Sequence, residues 1–317
     1  MRCFLVAITA CLSLVLSLPA SPQSNDSAII RFGDSAHPTF GAAGMVAAQN
    51  ATSAQVGADV LADGGNAVDA AVAVGFSLAV TSPRAGNLGG GGFMLIHDAA
   101  SGDTVAIDYR EMAPLRATRD MYLDDNGDVD PQRSRFSLLA AGVPGTVAGL
   151  HLAHQKYGKL PWRRLLEPAI RQARDGVVVS YTLSQLLKSR QSNMCRNEAT
   201  CEYFYKQGGV PYEPGEILRQ KDLARSLRLI AKQGPDAFYK GAIADLIDAE
   251  MQRGGGYVDR ASLAKYKPKL RDVVRGNYRG FEVVTMPPPS SGGVHLVQML
   301  NILEYFPVRE MGAGSAD

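Results

Sequence analysis

The residue in this chain best suited to a chemical task is Arg110, at the end of the strand-like run Thr104–Arg110. A guanidinium stays charged across the useful pH range and offers a carboxylate two parallel N–H bonds. It binds and orients, so it points to carboxylate capture and leaves catalysis to other groups. Asp108 shares its strand face, because side chains alternate, and offers a structural ion pair instead. On pattern alone, ligand binding and structural pairing stand level. Other constellations carry less. His151 and His154 lie three apart on a helix, but no carboxylate joins them at metal-ligand spacing, and an exposed helix face is the expected setting. Asp124-Asp125-Asn126-Gly127-Asp128 imitates a calcium loop, yet Arg133 fills the twelfth position, where a bidentate Glu is required. A turn is expected there. No Gly-x-Ser-x-Gly elbow supplies a serine nucleophile. Gly86–Gly92 lacks both dinucleotide-turn spacing and the Lys-Ser/Thr of a phosphate loop, so it predicts a tight turn with close backbone packing.

Arg110 must be delivered by the elements around it. Gly92–His97 and Thr104–Arg110 alternate and are joined by Ala-Ala-Ser-Gly-Asp, which predicts a hairpin. Upstream, Gly44–Ala48 reads as a buried strand. Thr52 is the expected cap of an Ala-rich helix to Asp63, ended by Gly64-Gly65. Asn66 then caps AVDAAVAVGFSLAV, apolar nearly all round and therefore internal; capping and a first-turn acid account for Asn66 and Asp69. Helices are predicted over Pro144–Tyr157, Trp162–Asp175, Tyr181–Arg190, Asp222–Lys232 and Asp236–Arg253. A strand at Tyr278–Met286 precedes Pro287–Gly293 and a last helix to Phe306. The mixture predicts an α/β or α+β fold of layered strands and helices.

With 317 residues and 46% hydrophobic content, the chain can bury a sizeable core in one or two domains. A formal charge of +2 without a long basic run argues against a nucleic-acid partner. Residues 1–20 pair an early Arg with an apolar run and a small-residue boundary, the pattern of a cleaved export signal. The run is shorter than the ~20 residues of a membrane span. A polar leader occupies 21–40. After cleavage, Cys195 and Cys201 remain, and two cysteines in an exported chain predict a local disulfide.

Four strings go further: GMVAAQNATSAQVGADVLADGGNAVDAAVAV, GNLGGGGFM, DYREMAPLRATRDMYLD and MPPPSSGGVHLVQMLNILE. In content and order they resemble the gamma-glutamyltranspeptidases, also called glutathione hydrolases, from about Gly44 to Asp317. The resemblance implies an N-terminal-nucleophile hydrolase fold of αββα layers, here incomplete, with residues 41–317 as part of the large-subunit domain. It implies transfer of a γ-glutamyl group from glutathione and related compounds to water, amino acids or peptides, through a Thr-linked acyl-enzyme and without a cofactor. Arg110 matches the arginine that grips the glutamyl α-carboxylate. No counterpart of the Thr-Thr processing motif is present, so no catalytic residue is expected here. The small-subunit portion is the implied partner, and the chain alone is expected to be inactive and poorly stable. A related acylase acting on cephalosporin, glutaryl or poly-γ-glutamate substrates is the alternative. A non-enzymatic carboxylate-binding module is a third.

Overall fold

The computed structural model describes residues 39–312 and 314. The expected signal 1–20, with Cys3 and Cys11, and nearly all of the leader 21–40 lie outside the described residues. Residues Phe40–Leu300 form one compact unit; a second includes Thr39 and the residues from Asn301 onward. In the latter, the end of helix Ser291–Leu303 is followed by the short helix Val308–Met311.

The main core forms around helix Ala67–Thr81. Its sequence is apolar on every side, and Val72, Ala73, Phe76 and Val80 are fully buried. Burying one such large side chain contributes about 1.5–3 kcal/mol. Helix Trp162–Asp175 is amphipathic instead, and sends Leu165, Leu166, Ala169, Ile170 and Ala173 into the same core. Small residues let the helices approach closely. The Ser53 hydroxyl lies 2.8 Å from both the Ser77 and Thr81 hydroxyls, and Ser77 donates to Gln172 Oε1 at 2.8 Å. This satisfied polar seam joins three helices within an otherwise apolar interior.

Asn66 caps helix Ala67–Thr81 as expected, in a reciprocal box with Asp69. Asp69 does more than cap. Fully buried, it also accepts from the backbone N–H groups of Lys159 and Leu160, at 3.0 and 3.2 Å. It thereby ties the connection that follows helix Thr146–Tyr157 to the central helix.

Seven strands form three small antiparallel sheets among the described residues. Strands β1 (Phe93–His97), β2 (Thr104–Asp108) and β5 (Lys269–Arg271) pair in the order β1-β2-β5. Strands β3 (Val177–Val178) and β4 (Ile217–Leu218) pair, as do β6 (Val274–Tyr278) and β7 (Phe281–Thr285). The single strand expected at Tyr278–Met286 is thus the second arm of a hairpin. Its turn, Arg279-Gly280, has φ of 49° and 83°, the two left-handed centres that suit right-twisted strands.

Three other expectations are corrected. Gly44–Ala48 forms no ladder and is largely exposed, with Val46 alone packing on the core. Asn50, rather than Thr52, caps helix Ala51–Ala62, because its side chain reaches Ser53 N. The helix expected over Asp236–Arg253 divides into Asp236–Tyr239 and Ala242–Gly254, interrupted at Lys240-Gly241.

Cys195 and Cys201 are bonded, with sulfurs 2.06 Å apart. The bridge joins the end of helix Tyr181–Met194 to helix Glu198–Phe204, over a small separate cluster of Val179, Leu183, Leu187, Tyr205 and Leu218. Val294, Leu296 and Met299 of helix Ser291–Leu303 stay exposed, as does Phe281 at the start of β7. Among the described residues, no helix is long and apolar enough to cross a membrane. The result is a mixed helix–strand architecture with helical packing at its centre.

Candidate functional site

Strand β2 stops at Asp108, and Tyr109-Arg110 continue its direction into a loop. The glycine turn fixes that continuation. Gly92 and Tyr109 exchange backbone hydrogen bonds at 3.3 and 3.0 Å. A Cβ on Gly91 would lie 2.9 Å from Arg110 Cα and 2.8 Å from Glu111 N. The expected close backbone approach is therefore an approach to Arg110 itself, which only a residue without a Cβ permits. The turn is held in its own right: Asn87 Oδ1 accepts from Gly90 N–H at 2.7 Å, and Gly145 N–H donates to Gly90 O at 2.7 Å.

A tyrosine stack supports the opposite side. Tyr266 donates its hydroxyl to the Arg110 carbonyl at 2.9 Å and lies parallel to Tyr239, ring centroids 5.6 Å apart. Tyr239 in turn donates to Pro144 O at 2.9 Å. Burial pushes the Tyr109 phenol up to about 12 and raises Tyr239 and Tyr266 further. All three therefore stay neutral donors in any physiological medium.

Arg110 itself is exposed, and its Nη1 donates to Pro289 O at 3.2 Å. Its open alternative, an ion pair with Asp108, is not what the structure shows. Asp108 is buried and binds Arg271 Nε at 2.7 Å, while its other oxygen accepts the Arg110 backbone N–H at 3.1 Å. Among the described residues, no carboxylate pairs with the Arg110 guanidinium. Strand alternation correctly set the two residues on one face. It could not reveal a competitor 163 positions away.

Arg110, Glu111 and Met112 separate two hollows. One, of about 270 Å³, is bordered also by Asp108, Tyr266, Lys267, Lys269, Arg271 and Pro289. The other, of about 650 Å³, extends past Gly89 towards Met121, Tyr122 and Ala140. A half-free guanidinium at a shared wall can fork onto a carboxylate entering either side. Tyr266, Gly145 and Pro289 were not legible as site residues. Lys267, Lys269 and Arg271 did carry a signal, a cation at every second position of a short strand.

The other candidates fall elsewhere. His151 and His154 are half-buried rather than on an exposed face, with rings 5.0 and 5.3 Å from the Trp162 ring. His154 Nε2 lies 2.7 Å from Leu160 O. Asp124–Asp128 is a turn in which Asp124 Oδ1 accepts two backbone N–H groups. Among the described residues, no group of three or more His, Cys, Asp or Glu could hold a metal ion.

Comparison with known proteins matches the chain as a whole to named relatives. The chain is 50% identical over 311 residues to the glutathione hydrolase proenzyme of Escherichia coli (strain K12), covering 97% of this chain and 52% of that protein. It is 40% identical over 286 residues to the acylase ACY 1 proenzyme of Pseudomonas sp. (strain SE83), covering 88% of this chain and 51% of that protein. The crystal structure of Helicobacter pylori gamma-glutamyltranspeptidase superposes with a TM-score of 0.86 at 42% identity, over 88% of this chain and 80% of that one. The chain thus spans about half the length of the curated relatives it matches. The family model described as Gamma-glutamyltranspeptidase matches residues 53–317, and the chain belongs to that family.

Proposed function

We propose that this chain is the arginine-bearing part of an enzyme that transfers γ-glutamyl groups from glutathione and similar compounds to water, amino acids or peptides. The observation that carries the reading is the Arg110 guanidinium, free of any carboxylate partner among the described residues while its neighbour Asp108 is committed to Arg271. A fork with one arm on Pro289 O and no carboxylate partner, held at a strand end by a glycine turn and a tyrosine hydroxyl, is arranged for a ligand carboxylate. We assign it the glutamyl α-carboxylate. The nucleophile would be an N-terminal Thr on a small-subunit portion, its own α-amine serving as base. In that assembly the β1-β2-β5 sheet would belong to an αββα layering, with residues 41–317 as large-subunit domain. We further propose export after cleavage of residues 1–20, in keeping with a disulfide, which persists in oxidising compartments.

The test is Arg110→Lys in the enzyme assembled with its small subunit. A point charge replaces a bidentate fork, so kcat/KM for γ-glutamyl-p-nitroanilide should fall by about 100-fold, the upper end of what losing one of the fork's two charge-assisted hydrogen bonds costs. An unchanged value would remove Arg110 from the site. Equal or better turnover of glutaryl-p-nitroanilide, which keeps that carboxylate but lacks the α-amino group, would favour an acylase instead.

A further inference from the structure

The smaller hollow beside Arg110 has an unusual charge balance. Side chains two apart on a strand share a face, so Lys267, Lys269 and Arg271 point the same way from β5 and its lead-in. The antiparallel register sets Arg271 across from Ala106 and Lys269 across from Asp108. The ladder ends at that pair, and Arg110 and Lys267 each lie two residues beyond it. All four cations border one hollow, with Asp108 and Glu111 as its acids. Asp108 is already committed to Arg271. Among the described residues, Arg110, Lys267 and Lys269 make no ion pair. Three uncommitted cations thus face one carboxylate, Glu111. Like charges gathered around one hollow repel each other, and a bound anion relieves that repulsion.

We propose that Lys267 and Lys269 form a second carboxylate subsite next to Arg110, taking a γ-glutamyl compound that carries a further carboxylate beyond its glutamyl head. The inference rests on the assignment of Arg110 to the α-carboxylate. Strand spacing puts the lysine backbone positions roughly 5–10 Å from that of Arg110, a span that one or two peptide units cover. The subsite therefore selects by charge on the leaving or accepting portion, while Arg110 recognises the common head. Neutral γ-glutamyl amides satisfy only the first.

The experiment uses two probes that differ in one group, γ-glutamylglycine and γ-glutamylglycinamide, titrated calorimetrically into the full chain. Two partly exposed lysines should favour the acid by about 10-fold in Kd. Lys267→Gln with Lys269→Gln should bring the two probes to parity and leave the amide unchanged. Arg110→Gln should weaken both alike. A lysine variant that keeps the acid's advantage, or a parent chain without one, overturns the subsite while Arg110→Gln still reports on the α-carboxylate reading. Loss of the preference in the lysine variant, with Arg110→Gln silent, upholds the subsite as a carboxylate site and overturns the Arg110 assignment.

Discussion

Gly145 offers a sharp test of how the arginine is held. It precedes helix Thr146–Tyr157 with φ of −116°, so alanine meets no backbone objection there. Space is the objection. A Cβ would fall far inside contact with the Tyr109 carbonyl oxygen and the Tyr266 hydroxyl, and even the Tyr109 carbonyl carbon would be 2.8 Å away. Ordinary carbon–carbon contact is about 3.5–4.0 Å. Neither neighbour can easily yield: Tyr109 O accepts from Gly92 N–H, and Tyr266 holds the Arg110 carbonyl. Overpacking costs about 1–3 kcal/mol, and a rigid backbone neighbour puts Gly145→Ala at or above the upper end, about 3 kcal/mol. For a chain of 317 residues, at ~2.1 cal/mol/K of unfolding entropy per residue, that lowers Tm by roughly 4–5 °C. Gly89→Ala is the matched control, since nothing lies within 4 Å of its Cβ, and it should stay within about 0.5 kcal/mol of the parent. Melting of both variants followed by circular dichroism decides the matter. Equal melting temperatures would refute the claim that these contacts, rather than glycine replacement in general, set the cost.

Two further outcomes follow from buried groups. Asp69→Ala removes the acceptor for three backbone N–H groups, those of Asn66, Lys159 and Leu160, and should cost about 3 kcal/mol in urea denaturation; Asp69→Asn, which keeps one acceptor oxygen, should cost less. His151 is held below its ordinary value of 6.5, first by burial and then by the neighbouring His154, with Asp236 opposing. The unfolded chain therefore binds the extra proton first, so His151's contribution is complete above about pH 6.5 and is lost as pH falls through its lower folded value. His151→Gln should flatten the stability profile across that window, and an unchanged slope would place the titration elsewhere.

Local signals were legible wherever the partner was near in sequence. Asn66 and Asp69 announced their capping box, and Trp162–Asp175 announced its helix through an apolar stripe. The Ala-Ala-Ser-Gly-Asp hairpin appeared with β1 and β2 in register. What failed depended on distant competitors. Asp108 was offered to Arg110, but Arg271 takes it once β5 joins the sheet. Gly44–Ala48 had strand composition, yet it joins no ladder among the described residues. The helix over Asp236–Arg253 looked continuous because its period survives the break at Lys240-Gly241. Arg110 was singled out from residue type and strand position alone. Tyr266 was invisible, because only the tertiary fold turns its hydroxyl to a backbone carbonyl 156 residues earlier.

The long separations around Arg110 also set a timetable for biosynthesis. Its carbonyl waits for Tyr266 and its guanidinium for Pro289 O, 156 and 179 residues later in the chain. A ribosome adding roughly 5–20 residues per second emits those partners some 10–35 s after the arginine itself. Through that interval the nascent chain carries its glycine turn and hairpin but an unfinished grip. Completion of the arginine's surroundings is thereby deferred until nearly all of the described chain has emerged.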